Sequence, residues 1–381
     1  MTRLWVMGVA VTLLSSCKGG GTAMGDGVAM GGVDADASGA AAVDGAGASD
    51  GIQAKPDFGA VQALLVQRAA AAGVTSLGLT IWDSQDHKVY EHMLGAFTPD
   101  TRVAIASASK LVSGLVVFDV IRRGQLSLEA TTGQVLSWTG PNAAITLRHL
   151  LSFTSGLPPE AACTLRPLTT LADCAQTLEA TAAVASPGAR FDYGSTHLHV
   201  AAAMAEKASG QLWADLFAQV LRTPLGLPGD VTYYTFPKQT IGTINPLVAG
   251  GLRASVNDYQ PFLAIAFHKG SYRSVTVGTP ALFDEQAREP FPDAVIGKSP
   301  LPAFRYGLAS WLECGTPATG CERLASPGAF GFTPWFDRRA GYYAILGMEL
   351  ASTGSDEGVV AFAVSLQAEL QPLVAAEIAK Q

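Results

Sequence analysis

The sequence predicts an α+β fold, and three kinds of stretch predict it. Near the start of the region rich in large side chains, Leu77, Leu79 and Ile81 alternate with smaller or polar residues, and Val89, His92 and Leu94 do so more loosely around Asp83-Ser84-Gln85-Asp86, which reads as a hairpin. Late in the chain, residues 332–337 and 342–348 read as a second strand pair joined across Arg338-Arg339-Ala340-Gly341. Around these runs, apolar residues recur every three or four positions, the period of a helix with one buried face. The 381 residues, 48% of them hydrophobic and 15% charged, suffice for one large domain or two intertwined ones.

The first helix opens at Pro56-Asp57 and runs to about Ala72, with Phe58, Val61, Leu64 and Leu65 on one face. A second follows the first hairpin. Its stripe is Leu111, Leu115, Phe118 and Ile121, its last turn holds Arg122 and Arg123, and Gly124 is its predicted stop. Another runs from His197 to about Lys207 and closes on Ser209-Gly210. Tyr306-Gly307-Leu308 begins a strand, and Val359, Phe362 and Leu366 mark a final helix that Pro372 is expected to break or kink.

Residues 1–54 have a different character. Arg3 precedes a short apolar run, Trp5 to Leu14, too short to span a bilayer, and the run ends in Leu14-Ser15-Ser16-Cys17. This resembles a bacterial lipobox, which implies that residues 1–17 are a lipoprotein-type signal segment in which Cys17 is lipidated and becomes the first mature residue. An ordinary secretory signal is the competing reading. Residues 18–54, dominated by Gly, Ala and Asp, bury too little to order themselves and read as a flexible tether to a folded domain over 55–381. The protein is thus expected to be exported, facing the periplasm or cell exterior, and to meet the membrane through a lipid anchor only. The net charge of -7, with no basic cluster, argues against nucleic acid as a partner.

Four cysteines remain, in two local pairs: Cys163 with Cys174, and Cys314 with Cys321. In an exported chain this spacing suggests two disulfides. Zinc is the alternative, but no Cys-x-x-Cys occurs and no histidine adjoins either pair. His197 and His199 form a His-x-His without further ligands in evidence, so both are read as structural and no metal is assigned.

The chemistry centres on Ala106-Ser107-Ala108-Ser109-Lys110, a Ser-x-x-Lys at the head of the second helix. Residues three apart on a helix share a face, so Ser107 and Lys110 can touch. A serine hydroxyl needs a neighbour to take its proton before it becomes a nucleophile. A buried lysine whose pKa falls towards about 7–8 can take it. The helix N-terminus favours a nearby oxyanion. Taken alone, such a pair is more often a cap and a solvated lysine.

Three further stretches raise its weight. Thr146-Leu147-Arg148-His149-Leu150-Leu151-Ser152-Phe153-Thr154-Ser155-Gly156-Leu157 follows the helix, then Pro187-Gly188-Ala189-Arg190-Phe191-Asp192-Tyr193-Gly194-Ser195, and finally Ser326-Pro327-Gly328-Ala329. Pro224-Leu225-Gly226-Leu227 and Gly250-Gly251-Leu252-Arg253-Ala254-Ser255-Val256-Asn257-Asp258 lie between the last two. In this order they resemble the serine β-lactamase and penicillin-binding superfamily, in its class C β-lactamase, esterase and D-aminopeptidase branch.

The resemblance implies a three-layer sandwich, a large antiparallel sheet flanked by helices, with a helical region inserted between the first and third motifs. It implies Ser107 as nucleophile and Lys110 and Tyr193 sharing the proton transfers, without deciding which is the base. The N–H groups of Ser107 and Ala329 would form an oxyanion hole. Ser195, Ser326 and Gly328 would meet the substrate, with Ser326-Pro327-Gly328 on an edge strand. Phe153 stands where the family often has histidine, Ser195 where it has asparagine, and Ser326 where it has lysine or histidine. The loss of that cation disfavours a β-lactam. The activity implied is a serine hydrolase cleaving a small ester or amide through an acyl-enzyme, with no cofactor required. The alternatives are a β-lactamase, a cell-wall D-peptidase or carboxypeptidase, and a binding protein that keeps the fold without turnover.

Overall fold

The hairpin expected near residue 80 forms and becomes one edge of a larger sheet in the computed structural model, which describes residues 56–236, 243–314 and 320–381. Cys17, the signal segment and the tether lie outside these residues. In chain order the helices are α1 (Gly59–Ala71), α2 (Ser109–Arg122), α3 (Thr132–Leu136), α4 (Leu147–Leu151), α5 (Leu171–Glu179), α6 (Thr196–Ser209), α7 (Trp213–Phe217), α8 (Val256–Phe267), α9 (Pro280–Gln286) and α10 (Val359–Ile378). The strands are β1 (Leu77–Asp83), β2 (Lys88–Leu94), β3 (Val103–Ala104), β4 (Arg190–Phe191), β5 (Arg253–Ala254), β6 (Ser271–Tyr272), β7 (Val275–Thr276), β8 (Val295–Ile296), β9 (Arg305–Tyr306), β10 (Trp311–Leu312), β11 (Arg323–Ala325), β12 (Thr333–Asp337) and β13 (Tyr342–Gly347).

The main sheet has seven strands in the order β2-β1-β13-β12-β11-β10-β9, every neighbouring pair antiparallel. β1 is buried along its whole length because the sheet is covered on both faces. Leu77, Leu79, Ile81, Trp335 and Leu346 face one apolar cluster, shared with Val61 and Leu65 of α1 and Phe362, Leu366 and Leu370 of α10. Trp82, Phe336, Tyr343 and Ile345 face the other, shared with α2 and α8. The architecture is therefore three-layered: helices, antiparallel sheet, helices. Residues between α2 and β11 contribute the additional helical region, in which α6 packs against α2, α3, α4 and α5.

Local chemistry accounts for the helix ends. Gly124, in the left-handed region at φ 73°, stops α2, and the N–H groups of Gly124 and Gln125 close on the carbonyls of Ile121 and Val120 at 2.8 and 3.1 Å. Two of the quoted motif stretches contain capping boxes: Thr146 with His149 starts α4, and Ser255 with Asp258 starts α8. Both cysteine pairs are brought to disulfide distance, with Cα separations of 5.3 Å for Cys163–Cys174 and 5.8 Å for Cys314–Cys321.

Three expectations are corrected. The first is the final helix, which continues through Pro372 without a break. Pro372 and Ala368, whose carbonyl loses its amide partner, are both on the exposed side, where water serves instead. By length and composition α10 could cross a membrane, but its apolar face is the one packed on the sheet. Second, the strand near Tyr306 is Arg305–Tyr306, and the chain then turns at once, Gly307 N–H reaching the carbonyl of Ser310 at 2.9 Å. Third, β11 is not at the sheet edge, since β10 and β9 lie outside it. β10 pairs only opposite Leu324 and Ala325, however, so the chain from Ser326 onward has no strand partner on that side.

Leu346 is fully buried at the centre of the sheet, opposite Leu79 and Thr333. Leu346→Ala is expected to lower the unfolding free energy by about 2–5 kcal/mol in a urea titration, with the same fold by circular dichroism.

Candidate active site

The segment that presents Ser107 is locked before the helix begins. β3 pairs with β5, Val103 opposite Ala254, and Ile105 N–H donates to the Leu252 carbonyl at 3.2 Å. Ala106 then turns through φ 46°, a left-handed conformation that costs a residue with a Cβ about 1–2 kcal/mol. The surroundings hold it there. Ser109 Oγ donates to the Ala106 carbonyl at 2.6 Å and accepts Leu252 N–H at 3.1 Å, while Tyr259 Oη donates to the Ala108 carbonyl at 2.8 Å. Residues 106–108 form a 3-10 turn, so Ser107 lies one turn ahead of α2 rather than within it.

The expected contact survives this shift. Lys110 Nζ is 2.9 Å from Ser107 Oγ and donates to the Ala249 carbonyl at 2.8 Å. Lys110 is only 3% exposed. Burial is the largest influence on its ammonium and brings its pKa from 10.5 down to about 7, with Lys298 pushing the same way and Glu160 opposing.

Tyr193 completes the cluster. Its ring lies beneath Lys110, with Nζ 4.6 Å from the centroid, and the side chains of Ser107 and Trp311 influence its hydroxyl. Burial pushes its pKa up to about 12, so the phenol keeps its proton at neutral pH. The ring is set by other rings: Phe153 edge-on at 5.3 Å, Trp311 stacked at 4.9 Å and Tyr306 edge-on at 5.8 Å. Phe153 is thus a buried hub, in contact also with Phe191 and with His197.

The third motif comes alongside. Ser326 Oγ donates to the Ser107 carbonyl at 3.1 Å. Gly328 is needed for a reason other than the approach of a substrate. A Cβ there would lie 2.2 Å from the Ile105 carbonyl, so the glycine lets this segment close against the strand leading to Ser107. Ala329 is exposed, and its N–H donates to no protein group among the described residues. Ser195 begins α6, but its side chain makes no capping bond.

The two histidines diverge. His197 Nδ1 pairs with Ser155 Oγ at 2.8 Å and His199 Nε2 with Asn245 Oδ1 at 2.9 Å. Burial lowers both pKa values to about 4, so both rings are neutral. Two participants were missed in the sequence. Ala249 acts through its backbone and leaves no side-chain signal, although the adjoining Gly250-Gly251 hinted at close packing; a Cβ on Gly251 would meet the Tyr234 carbonyl at 2.0 Å. Trp311 sits on a strand of two residues, too short for any period.

Comparison with known proteins identifies the family and the fold. The family model named Beta-lactamase matches residues 65–361. The chain belongs to the β-lactamase family. Among solved structures, a putative β-lactamase from Bacteroides dorei is 26% identical, with a TM-score of 0.74, covering 84% of this chain and 99% of that one. Simvastatin synthase from Aspergillus terreus is 17% identical with a TM-score of 0.62, covering 84% and 98% respectively. A hydrolase with promiscuous acyltransferase activity is also 17% identical at a TM-score of 0.62, covering 83% and 97%. The last two likenesses show the shared fold.

Gly328→Ala is expected to leave the circular dichroism spectrum unchanged while pushing the Ala329 N–H away from Ser107. The rate at which a fluorophosphonate modifies Ser107 should fall at least about tenfold, measured by intact mass against time.

Proposed function

We propose that the protein is a serine hydrolase that cleaves a small ester or amide through an acyl-enzyme. The observation that carries this reading is the 2.9 Å contact between Ser107 Oγ and Lys110 Nζ, with Lys110 buried and its pKa near 7. Membership of the β-lactamase family supports it.

In this reading the neutral Lys110 amine takes the Ser107 proton as Oγ attacks the carbonyl carbon. The oxyanion is received by the N–H groups of Ser107 and Ala329. Collapse of the tetrahedral species breaks the bond to the leaving group, which gains a proton from Lys110 relayed through the Tyr193 hydroxyl. Water then attacks the acyl-enzyme, Lys110 again taking a proton; the bond from the acyl carbon to Oγ breaks, Lys110 returns that proton to Ser107, and the acid leaves. Tyr193 relays rather than initiates because its phenol stays protonated at neutral pH, while burial brings the Lys110 pKa down to about 7. Ser326 gives this site a neutral hydroxyl, bound to the Ser107 carbonyl, in the third motif. Ser195 and Gly328 border the substrate space. Export, with lipidation at Cys17 and a tether over 18–54, belongs to the same proposal; the two cysteine pairs at disulfide distance favour an oxidising compartment.

Reaction with a fluorophosphonate should add a single adduct to the wild-type chain and none to Ser107→Ala. An adduct of equal yield on the variant would remove Ser107 from the mechanism. The pH dependence has a definite sign. The unprotonated amine is the active form, so kcat/KM for an ester should rise with pH and level off above about 7. Lys110→Met should lose about 10²–10⁴-fold in kcat/KM together with that limb.

A further inference from the structure

Two charged side chains stand near Lys110, and the hydrolase mechanism uses neither. They are Glu160 and Lys298, the groups whose charges act on it. They approach the Tyr193 segment from two sides. On one side, the carbonyl of Pro159 accepts the Thr196 N–H at 3.1 Å, and a Cβ on Gly194 would lie 2.0 Å from the same oxygen. Gly194 therefore lets the chain bearing Glu160 press against the residue next to Tyr193. On the other side, Lys298 is pinned by its backbone. Its carbonyl accepts the Tyr193 N–H at 2.8 Å, and its own N–H donates to Asp192 Oδ1 at 2.8 Å. Parallel pairing of β4 with β8 extends this attachment.

Across that segment, Lys298 Nζ lies 3.7 Å from Glu160 Oε1, with side-chain exposures of 55% and 53%. A pair so long and so wet is held weakly. An ammonium has three donors, so Lys298 keeps donors free for an incoming acceptor. Its backbone is fixed beside Tyr193 while its charged end is exchangeable. Ser326 supplies no positive charge, and its hydroxyl is already committed to the Ser107 carbonyl.

We infer that Lys298 is a specificity-determining residue of this site, selecting substrates that carry a carboxylate on the Tyr193 side of the scissile bond, with Glu160 as the internal competitor that such a carboxylate displaces. This rests on the hydrolase reading and narrows its substrate class to anionic esters and amides. Glu160 also disfavours unproductive anions, since any anion must out-compete it for the same ammonium.

The test compares 3-acetoxybenzoate, whose leaving group bears a carboxylate, with neutral phenyl acetate. The quantity read is the ratio of their kcat/KM values within each variant, which cancels the intrinsic difference between the two leaving groups across the series. Lys298→Met should lower the ratio about three- to tenfold, and added salt should shrink that effect. Lys298→Arg should retain most of the wild-type ratio, and Glu160→Gln should raise it. The backbone bonds that place residue 298 are untouched by these changes. Turnover of both esters with ratios unmoved in Lys298→Met and Glu160→Gln would overturn the inference and leave the hydrolase reading standing. Absence of turnover together with absence of a Ser107 adduct would overturn the hydrolase reading, and this inference with it.

Discussion

The structure depends on keeping one amine out of water. Lys110 sits where α2 enters the interior, between Ser107 Oγ, the Ala249 carbonyl and the face of Tyr193. An ammonium there loses hydration that two acceptors and a ring replace only in part, and its proton affinity falls accordingly. The fall from 10.5 to about 7 corresponds to on the order of 5 kcal/mol. Sustaining that displacement needs packing from every side. α2 must be buried along nearly all its length, the loop carrying Ala249 must close over the site, and the aromatic rings must hold Tyr193 in place.

Elements long enough to show a period were legible in the sequence. Leu77, Leu79 and Ile81 mark one face of β1, and Leu111, Leu115 and Phe118 mark α2, because the bulkiest apolar side chains recur on one face even though both elements are buried nearly all round, and six or more residues can display that repeat. The short ladders were not legible. β3, β4, β5 and β8 have two residues each, and their pairing is decided by partners far along the chain. The Ser107–Lys110 contact was legible because it is local. The placement of Tyr193 against both came from the order of the motifs, since no local pattern brings residue 193 to residue 107. The break expected at Pro372 failed for a simple reason: a proline on the wet side of a helix that is otherwise well packed costs one hydrogen bond that water replaces.

The departures from the family pattern divide into two kinds. Phe153 substitutes packing for polarity. It is fully buried at φ 59° and stacks on Tyr306 at 4.6 Å, so its effect on Tyr193 is steric. Ser195 alters a residue after the tyrosine, and the intervening Gly194 faces the nearby Pro159 carbonyl. Ser326 removes the positive charge, and its hydroxyl reaches the Ser107 carbonyl. The nucleophile's backbone is thus held from the third motif by a neutral group, and the charge near the site resides on side chains at its rim.

The Ala249 carbonyl has a consequence for the life of the chain before it is finished. It lies 139 residues beyond Lys110, and the ring beneath the amine belongs to Tyr193, also far along the chain. An emerging or unfolded chain therefore carries an ordinary, fully protonated lysine beside an ordinary alcohol. Reactivity arrives only when the distant segments close, so an unfinished polypeptide is chemically quiet and the fold itself serves as the safety catch.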